Sequence, residues 1–152
     1  MASSEDKLHV TRRHLPHWSL AGAWYFVTLR LRTRHLARTE IALLRDHVVS
    51  GDGRFYELLA VVVMPDHVHA VLRPRQGYSL SRVMKGIKGT AARRLNELRR
   101  TKGKVWQDES FDRIVRDQAE LEEKLNYMFL NPVKAGLTDD PDSYPGWFIK
   151  RK

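Results

Sequence analysis

The sequence contains no cysteine, which excludes a disulfide framework and any zinc site built on thiolates. It also lacks a long apolar run. The longest, Leu58 to Met64, falls far short of the roughly 20 apolar residues of a membrane-spanning helix. The first ten residues are polar and charged, without the apolar segment of a secretory leader. Acidic residues are scarce beside basic ones: 18 Asp and Glu against 27 Lys and Arg in 152 residues, a formal net charge of +9. Such an excess points to a polyanionic partner, nucleic acid before an anionic membrane surface. The expectation is a cytoplasmic protein with no membrane partner.

A chain of this length suits one compact domain with a proper core. No repeat, low-complexity tract or linker divides it. Residues 1–20, with Arg12, Arg13, His14 and His17, read as a basic arm. The domain proper is expected over 21–137 and a tail over 138–152.

Hydrophobic periodicity supplies the elements. In Trp24 to Arg32, alternation sets Tyr25, Val27, Leu29 and Leu31 against Phe26, Thr28, Arg30 and Arg32, as in a strand. Glu40 to Val49 reads as a helix capped by Thr39 and stopped by Gly51. Phe55 to Val63 is a strand rich in Leu and Val, Met64-Pro65-Asp66 a turn, and His67 to Arg73 a third, antiparallel strand. A long helix follows from Leu80 to Arg99 with Ser79 as cap and Leu80, Val83, Met84, Ile87, Ala91, Leu95 and Leu98 as its stripe. Val105 to Val115 is irregular and holds the fourth strand. Asp117 with Glu120 resembles a capping box for a last helix through Leu130. The order β-α-β-β-α-β-α predicts an α+β fold. It would be a ferredoxin-like (RRM-like) four-stranded antiparallel sheet with helices on one face, plus a C-terminal helix carrying Tyr127.

Residues i and i+2 of a strand point the same way, so His67 and His69 leave one sheet face together and can share one divalent metal. Val68, Ala70 and Leu72 already supply that strand's core contacts on the other face. The ordinary alternative is a pair of surface or half-buried histidines. On the last helix, Tyr127 and Asn131 are one turn apart on a flank of the stripe formed by Leu121, Leu125, Met128 and Phe129. Spacing alone favours the ordinary reading, a partly exposed tyrosine with an amphipathic ring. Asn131 has three readings: a cap for a turn begun by Pro132, a ligand through its amide oxygen, or a compromise.

The basic residues of the long helix read either as a solvated face or as a DNA-binding one. Lys88, between Gly86 and Gly89, is singled out because a DNA backbone could approach there. The glycines could equally ease packing on a strand. Trp106 and Phe111 could stack on a base, with core packing the commoner role for such residues.

Together these segments resemble a known family, the single-tyrosine transposases of the HUH endonuclease superfamily, most closely the REP-associated tyrosine transposases. The matching stretches are WYFVTLRLRTR at 24–34, VVVMPDHVHAVLRP at 61–74, VWQDESFDRIVRD at 105–117 and YMFLNPVKAGL at 127–137. The resemblance implies a ferredoxin-like fold, with His67 and His69 as the metal histidines and Tyr127 as the nucleophile. Asn131 stands where the family has its polar third ligand. It further implies Mg²⁺ or Mn²⁺ as cofactor and single-stranded or hairpin DNA as partner, joined through a 5′-phosphotyrosine intermediate. Arg30, Arg32, Lys88, Arg12 and Arg13 would hold the strand. The branch favours a monomer over a homodimer and a prokaryotic, nucleoid-associated setting. The rival readings are a non-catalytic RRM-like single-strand-binding module, a related HUH nuclease of replication or conjugation, and a domesticated HUH protein.

Overall fold

The structure is a computed structural model that describes residues 22–32 and 35–151. The basic arm, with Arg12 and Arg13, lies outside the described residues. The elements run β1 (Tyr25–Arg30), α1 (Arg38–Ser50), β2 (Tyr56–Val63), β3 (His67–Pro74), α2 (Leu80–Arg99), β4 (Phe111–Ile114) and α3 (Gln118–Lys134). A 3₁₀ turn over Pro141–Ser143 and β5 (Trp147–Ile149) complete the chain. The strands form one antiparallel sheet in the order β4-β1-β3-β2-β5. Its first four strands have the ferredoxin-like arrangement that the periodicity predicts.

The sheet has five strands, not four, because β5 adds to the free edge of β2. Three residues carry too little alternation to be read as a strand; tertiary contacts make this one. Trp147 is buried and packs on Phe129 of α3, ring centroids 5.2 Å apart. The Tyr144 hydroxyl donates to the Val63 carbonyl at 2.7 Å. Gly146 passes so close to β2 that a Cβ would lie 2.3 Å from the Val63 carbonyl oxygen, so only glycine fits.

Both sheet faces are covered. On β3, Val68, Ala70 and Leu72 are buried on one side and His69 and Val71 on the other. Tyr56 shares the first side, since it pairs with Pro74, and its hydroxyl donates to Val48 of α1 at 2.5 Å. That contact explains the helix stop: a Cβ on Gly51 would sit 2.3 Å from the Tyr56 hydroxyl. Helices α1 and α2 therefore cover the first face, and α3 lies across the second.

The caps follow local chemistry with one correction. Ala37, not Thr39, caps α1. The Glu40 carboxylate reaches back to the Ala37 amide at 2.7 Å, which sets the first turn two residues earlier than expected. Ser79 and Asp117 cap α2 and α3 as predicted, accepting from the amides of Arg82 at 3.1 Å and Glu120 at 2.8 Å. Leu98 is 55% exposed and falls outside the α2 stripe. Helix α3 continues past Leu130 through Asn131 and Pro132 to Lys134. Proline removes one backbone donor there, and the buried ring of Pro132 packs into the core instead. Among the described residues no helix is long and apolar enough to cross a membrane.

Helices α1 and α2 are clamped by a buried ion pair. Arg99 donates to both Glu40 oxygens, at 2.5 and 3.2 Å, with both side chains under a tenth exposed. Removing one partner leaves the other charge buried and also loosens the α1 cap. Arg99→Ala is expected to cost about 3 kcal/mol, measured by urea unfolding. A loss below about 1 kcal/mol would show that the pair behaves as a surface bridge.

Candidate active site

The site is assembled where β1 and β3 meet beneath α3. The ladder places Thr28 opposite His69 and Arg30 opposite His67, so all four side chains leave the same face. The β2–β3 turn is fixed from outside. Its Pro65 and Asp66 carbonyls accept from the amides of Leu36 at 2.7 Å and Leu31 at 2.9 Å.

The two imidazoles lie 4.7 Å apart between centroids. His67 donates through Nδ1 to the Asp66 carboxylate at 2.7 Å, and its Nε2 faces the Asn131 amide oxygen at 3.3 Å. His69 is buried, with Nδ1 held by the Thr28 hydroxyl at 2.9 Å. Phe26 stacks on the His69 ring at 5.0 Å, and the Lys124 ammonium stands 5.1 Å from the Phe26 centroid. Tyr127 reaches over this group from α3. Its ring is edge-on to His69 at 5.5 Å and to Phe26 at 6.4 Å, while the residue stays 46% exposed.

Burial, then the positive fields of His67, Arg30 and Lys124, press the His69 pKa down to about 3, against a backbone hydrogen bond at Val27. At neutral pH this ring is an uncharged base. Asp66 is held below its ordinary value: burial works to raise it, but the hydrogen bond and charge of His67 prevail.

The structure brings His67, His69, Asn131 and Tyr127, the residues singled out by the resemblance, into one group. Asn131 is not a cap: the helix runs through it, its carbonyl accepts from Ala135 at 3.1 Å, and its amide faces His67. Arg30 is exposed beside His67. Asp108 is held below its usual range by the hydrogen bond and charge of Lys104, and further by the charges of Arg32 and Lys88, which stand around it. Lys88 donates to the carbonyls of Gln107 at 3.1 Å and Asp108 at 3.4 Å, tying down the segment before β4. A Cβ on Gly86 or Gly89 would meet nothing within 4 Å, which removes strand packing as the reason for either glycine.

Sequence reasoning missed the supporting residues. Phe26 and Thr28 appear only as members of a strand face, Asp66 only as part of a turn, and Lys124 not at all. Their roles depend on the β1–β3 register and the placement of α3, neither of which has a local signal. Trp106 is buried and donates to the Lys88 carbonyl at 3.0 Å, in the expected core role. Phe111 departs from its expected core role. It stands opposite Thr28 on the histidine face and is 57% exposed.

The donor set fits a divalent cation. Among the described residues no three His, Cys, Asp or Glu side chains cluster; the polar group that stands beside the two histidines is the Asn131 amide. His69 is neutral, as a metal ligand must be. His67 directs Nδ1 to the Asp66 carboxylate and Nε2 to a second oxygen, that of the Asn131 amide. A proton or a cation is required between them. The carboxylate behind His67 is the usual orienting partner of a metal-bound imidazole.

Residues 49–128 match the family described as Transposase IS200 like, slightly more than half of the chain. The chain belongs to the IS200-like transposase family. The family match includes His67, His69 and Tyr127 and stops before Asn131. A REP-associated tyrosine transposase of Escherichia coli strain K12 is 28% identical over 129 residues, covering 82% of this chain and 74% of the relative. A Haemophilus influenzae protein assigned to the same group is 24% identical over 100 residues, or 59% of this chain and 57% of its own. The solved structure of a REP-associated tyrosine transposase bound to a REP hairpin superposes with a TM-score of 0.70 at 23% identity. It covers 88% of this chain and 80% of that one, a likeness of fold.

The buried, neutral His69 gives a titration prediction. Its folded pKa, about 3, lies below the unfolded 6.5. Between those values the unfolded chain binds a proton that the folded chain refuses. Stability therefore falls as pH drops from about 6.5 toward 3, with a slope approaching about 1.4 kcal/mol per pH unit from this ring. An NMR titration should find the His69 ring neutral at pH 5; a midpoint near 6.5 would contradict its burial.

Proposed function

We propose that the chain is a metal-dependent transposase that cleaves and rejoins single-stranded or hairpin DNA through a 5′-phosphotyrosine intermediate on Tyr127. The observation that carries this reading is the meeting of a half-exposed tyrosine with a buried, neutral His69 and with His67, whose Nε2 faces the Asn131 amide oxygen. The family supports the reaction type, and the hairpin-bound relative supports the choice of substrate.

The phenolic oxygen of Tyr127 attacks the scissile phosphorus. The bond from phosphorus to the 3′ oxygen breaks, the tyrosine keeps the 5′ phosphate, and the 3′ oxygen leaves as a hydroxyl after taking up a proton. The phenol must lose its own proton, since an unperturbed tyrosine with pKa about 10 is a weak nucleophile near neutrality. Mg²⁺ or Mn²⁺ held by His67, His69 and Asn131 would supply Lewis-acid stabilisation of the phosphate charge. Thr28 and Asp66 orient the two imidazoles so that their other ring nitrogens serve as donors. Phe26 and Lys124 shield His69 from water on the α3 side. Arg30, exposed beside His67, draws the DNA backbone to the site. Because the phosphodiester energy is conserved in the tyrosyl link, a second 3′ hydroxyl can reverse the step without a nucleotide cofactor.

The RRM-like alternative needs an open aromatic sheet face. Here Phe26 is stacked on His69, and α3 crosses that face, which favours the enzyme. Tyr127 and the histidines belong to one chain, which favours a monomer that completes its site in cis. The reaction would take place where chromosomal DNA lies, in the cytoplasm.

The test uses labelled single-stranded hairpin DNAs incubated with Mg²⁺, Mn²⁺ or EDTA and resolved on a denaturing protein gel. The label is expected on the protein with metal and absent with EDTA. Tyr127→Phe should lose the adduct entirely while hairpin affinity stays within about twofold, the phenyl ring being kept. An undiminished adduct in Tyr127→Phe would place the nucleophile elsewhere. The double variant His67→Ala, His69→Ala is expected to lose metal-dependent cleavage yet still bind DNA. Full activity in that variant would end the metal assignment.

A further inference from the structure

Helix α3 covers the histidine face only in part. Along its length Glu120 accepts from Arg113 of β4 at 3.2 Å, and the Lys124 ammonium stands beside Phe26. Further on, Tyr127 lies against His69 and Phe129 packs on Trp147 of β5. Arg113 pairs with Phe26, whereas Phe111 pairs with Thr28, two residues further along the strands. The helix therefore passes β4 at Arg113 and leaves the Phe111 end of the strand open.

Phe111 is the most exposed large apolar side chain among the described residues. Its ring meets no other aromatic ring and no cation among them. A phenyl group left this open gains little from burial, so folding alone does not account for it. The β4 edge also makes a poor seam for a second copy. It is four residues long, Asp112 and Arg113 put charge on both of its faces, and Ile114 points to the α1 and α2 side.

The neighbours of the ring fit a different occupant. Phe111, Thr28 and His69 stand in one row across β4, β1 and β3. Adjacent strands are about 4.8 Å apart, so the ring's residue lies roughly 10 Å from the histidine along that row, an interval of one nucleotide. Arg30 follows Thr28 on the same face, is exposed, and forms no ion pair among the described residues. An unstacked ring and an unpaired cation beside a phosphate-handling centre match a flat base and its backbone.

We propose that Phe111 is a stacking platform for the base of a nucleotide next to the scissile phosphate of single-stranded DNA. This role rests on the cleavage reading above and adds a positioning residue to it. Stacking holds the stretch of backbone between that base and the histidines, so the phosphorus is presented to Tyr127 from a fixed side. Every base has a π face, which makes such a contact tolerant of sequence. Phe111 thus sets where the strand lies, not which sequence is cut.

The experiment uses the full chain in its Tyr127→Phe form, which binds without cutting, with Mg²⁺ and hairpin DNAs that carry single-stranded flanks. An abasic site is moved through each unpaired position, and affinity is measured with and without the further change Phe111→Ala. One position, within a nucleotide of the bond that the parent cleaves, should respond. There the abasic site should weaken binding about tenfold while Phe111 is present and less than about twofold once it is gone. Phe111→Trp should restore the difference, which a merely structural role for the ring would not do. Equal abasic penalties with and without Phe111 at every position would overturn the proposal. So would a responding position more than a nucleotide away from the cleaved bond. A parent that sediments as a dimer, becomes monomeric on Phe111→Ala and shows no such coupling would assign the ring to a contact between copies. Adduct formation at Tyr127 without coupling defeats this proposal alone. Coupling without any adduct in the parent defeats the cleavage reading and leaves the stacking contact in place.

Discussion

In the antiparallel ladder between β1 and β3, Thr28 stands opposite His69 and Arg30 opposite His67. Side chains alternate across a strand, so a slip by one residue would turn all of them over to the face packed by α1 and α2. The register is set by both surfaces at once. Val68, Ala70 and Leu72 are buried on one side, and the Leu31 and Leu36 amides bond the β2–β3 turn at its end. Everything functional on the second face inherits its position from that ladder: the hydroxyl that orients His69, the ring that stacks on it and the exposed arginine beside it.

The other half of the site comes from α3, whose apolar stripe is as completely buried as the sheet. Leu121, Leu125, Met128 and Phe129 are buried, which fixes the rotation of the helix and with it the outward aim of Tyr127. Continuation of the helix through Asn131 and Pro132 matters equally. Had the chain left the helix at Leu130, the amide would have been free to cap a new turn. Instead it lies one turn beyond Tyr127 with its oxygen toward His67. The lost backbone bond at Pro132 is offset by burial of its ring and by the hydrogen bond from Leu137 to its carbonyl at 2.9 Å.

Much of this was legible from residue order, for identifiable reasons. The α2 boundaries follow from a serine cap and a long apolar stripe, both strong local signals. Strict strand alternation puts the histidine pair on one face and the helical period puts Tyr127 off the apolar stripe, but it is the resemblance of the motifs that singles them out. Other features have no local signature. The α1 cap depends on Glu40, whose carboxylate is also bound by Arg99 from α2. Strand β5 exists because Trp147 finds Phe129 and Gly146 can pass the Val63 carbonyl. Phe111 looks like a core residue in sequence, but β4 is an edge strand that leaves it exposed. A cationic cleft between the end of α1, the start of β2 and the first turns of α2 joins residues from two helices, a strand and two loops, so no single window of sequence contains it.

The basic surface is correspondingly divided. Arg30 serves the histidine face, Lys88 and Arg32 gather around Asp108, and Arg54, Arg82, Lys85 and Arg94 surround the cleft on the far side. The central claim is that the histidine pair and the tyrosine form one metal-dependent centre. Its most direct test is NMR with substoichiometric Mn²⁺, whose unpaired electrons broaden nearby signals. The account predicts selective broadening of the His67, His69 and Tyr127 ring resonances, reversed by EDTA. Unaffected histidine rings, or broadening spread evenly over the protein, would contradict it.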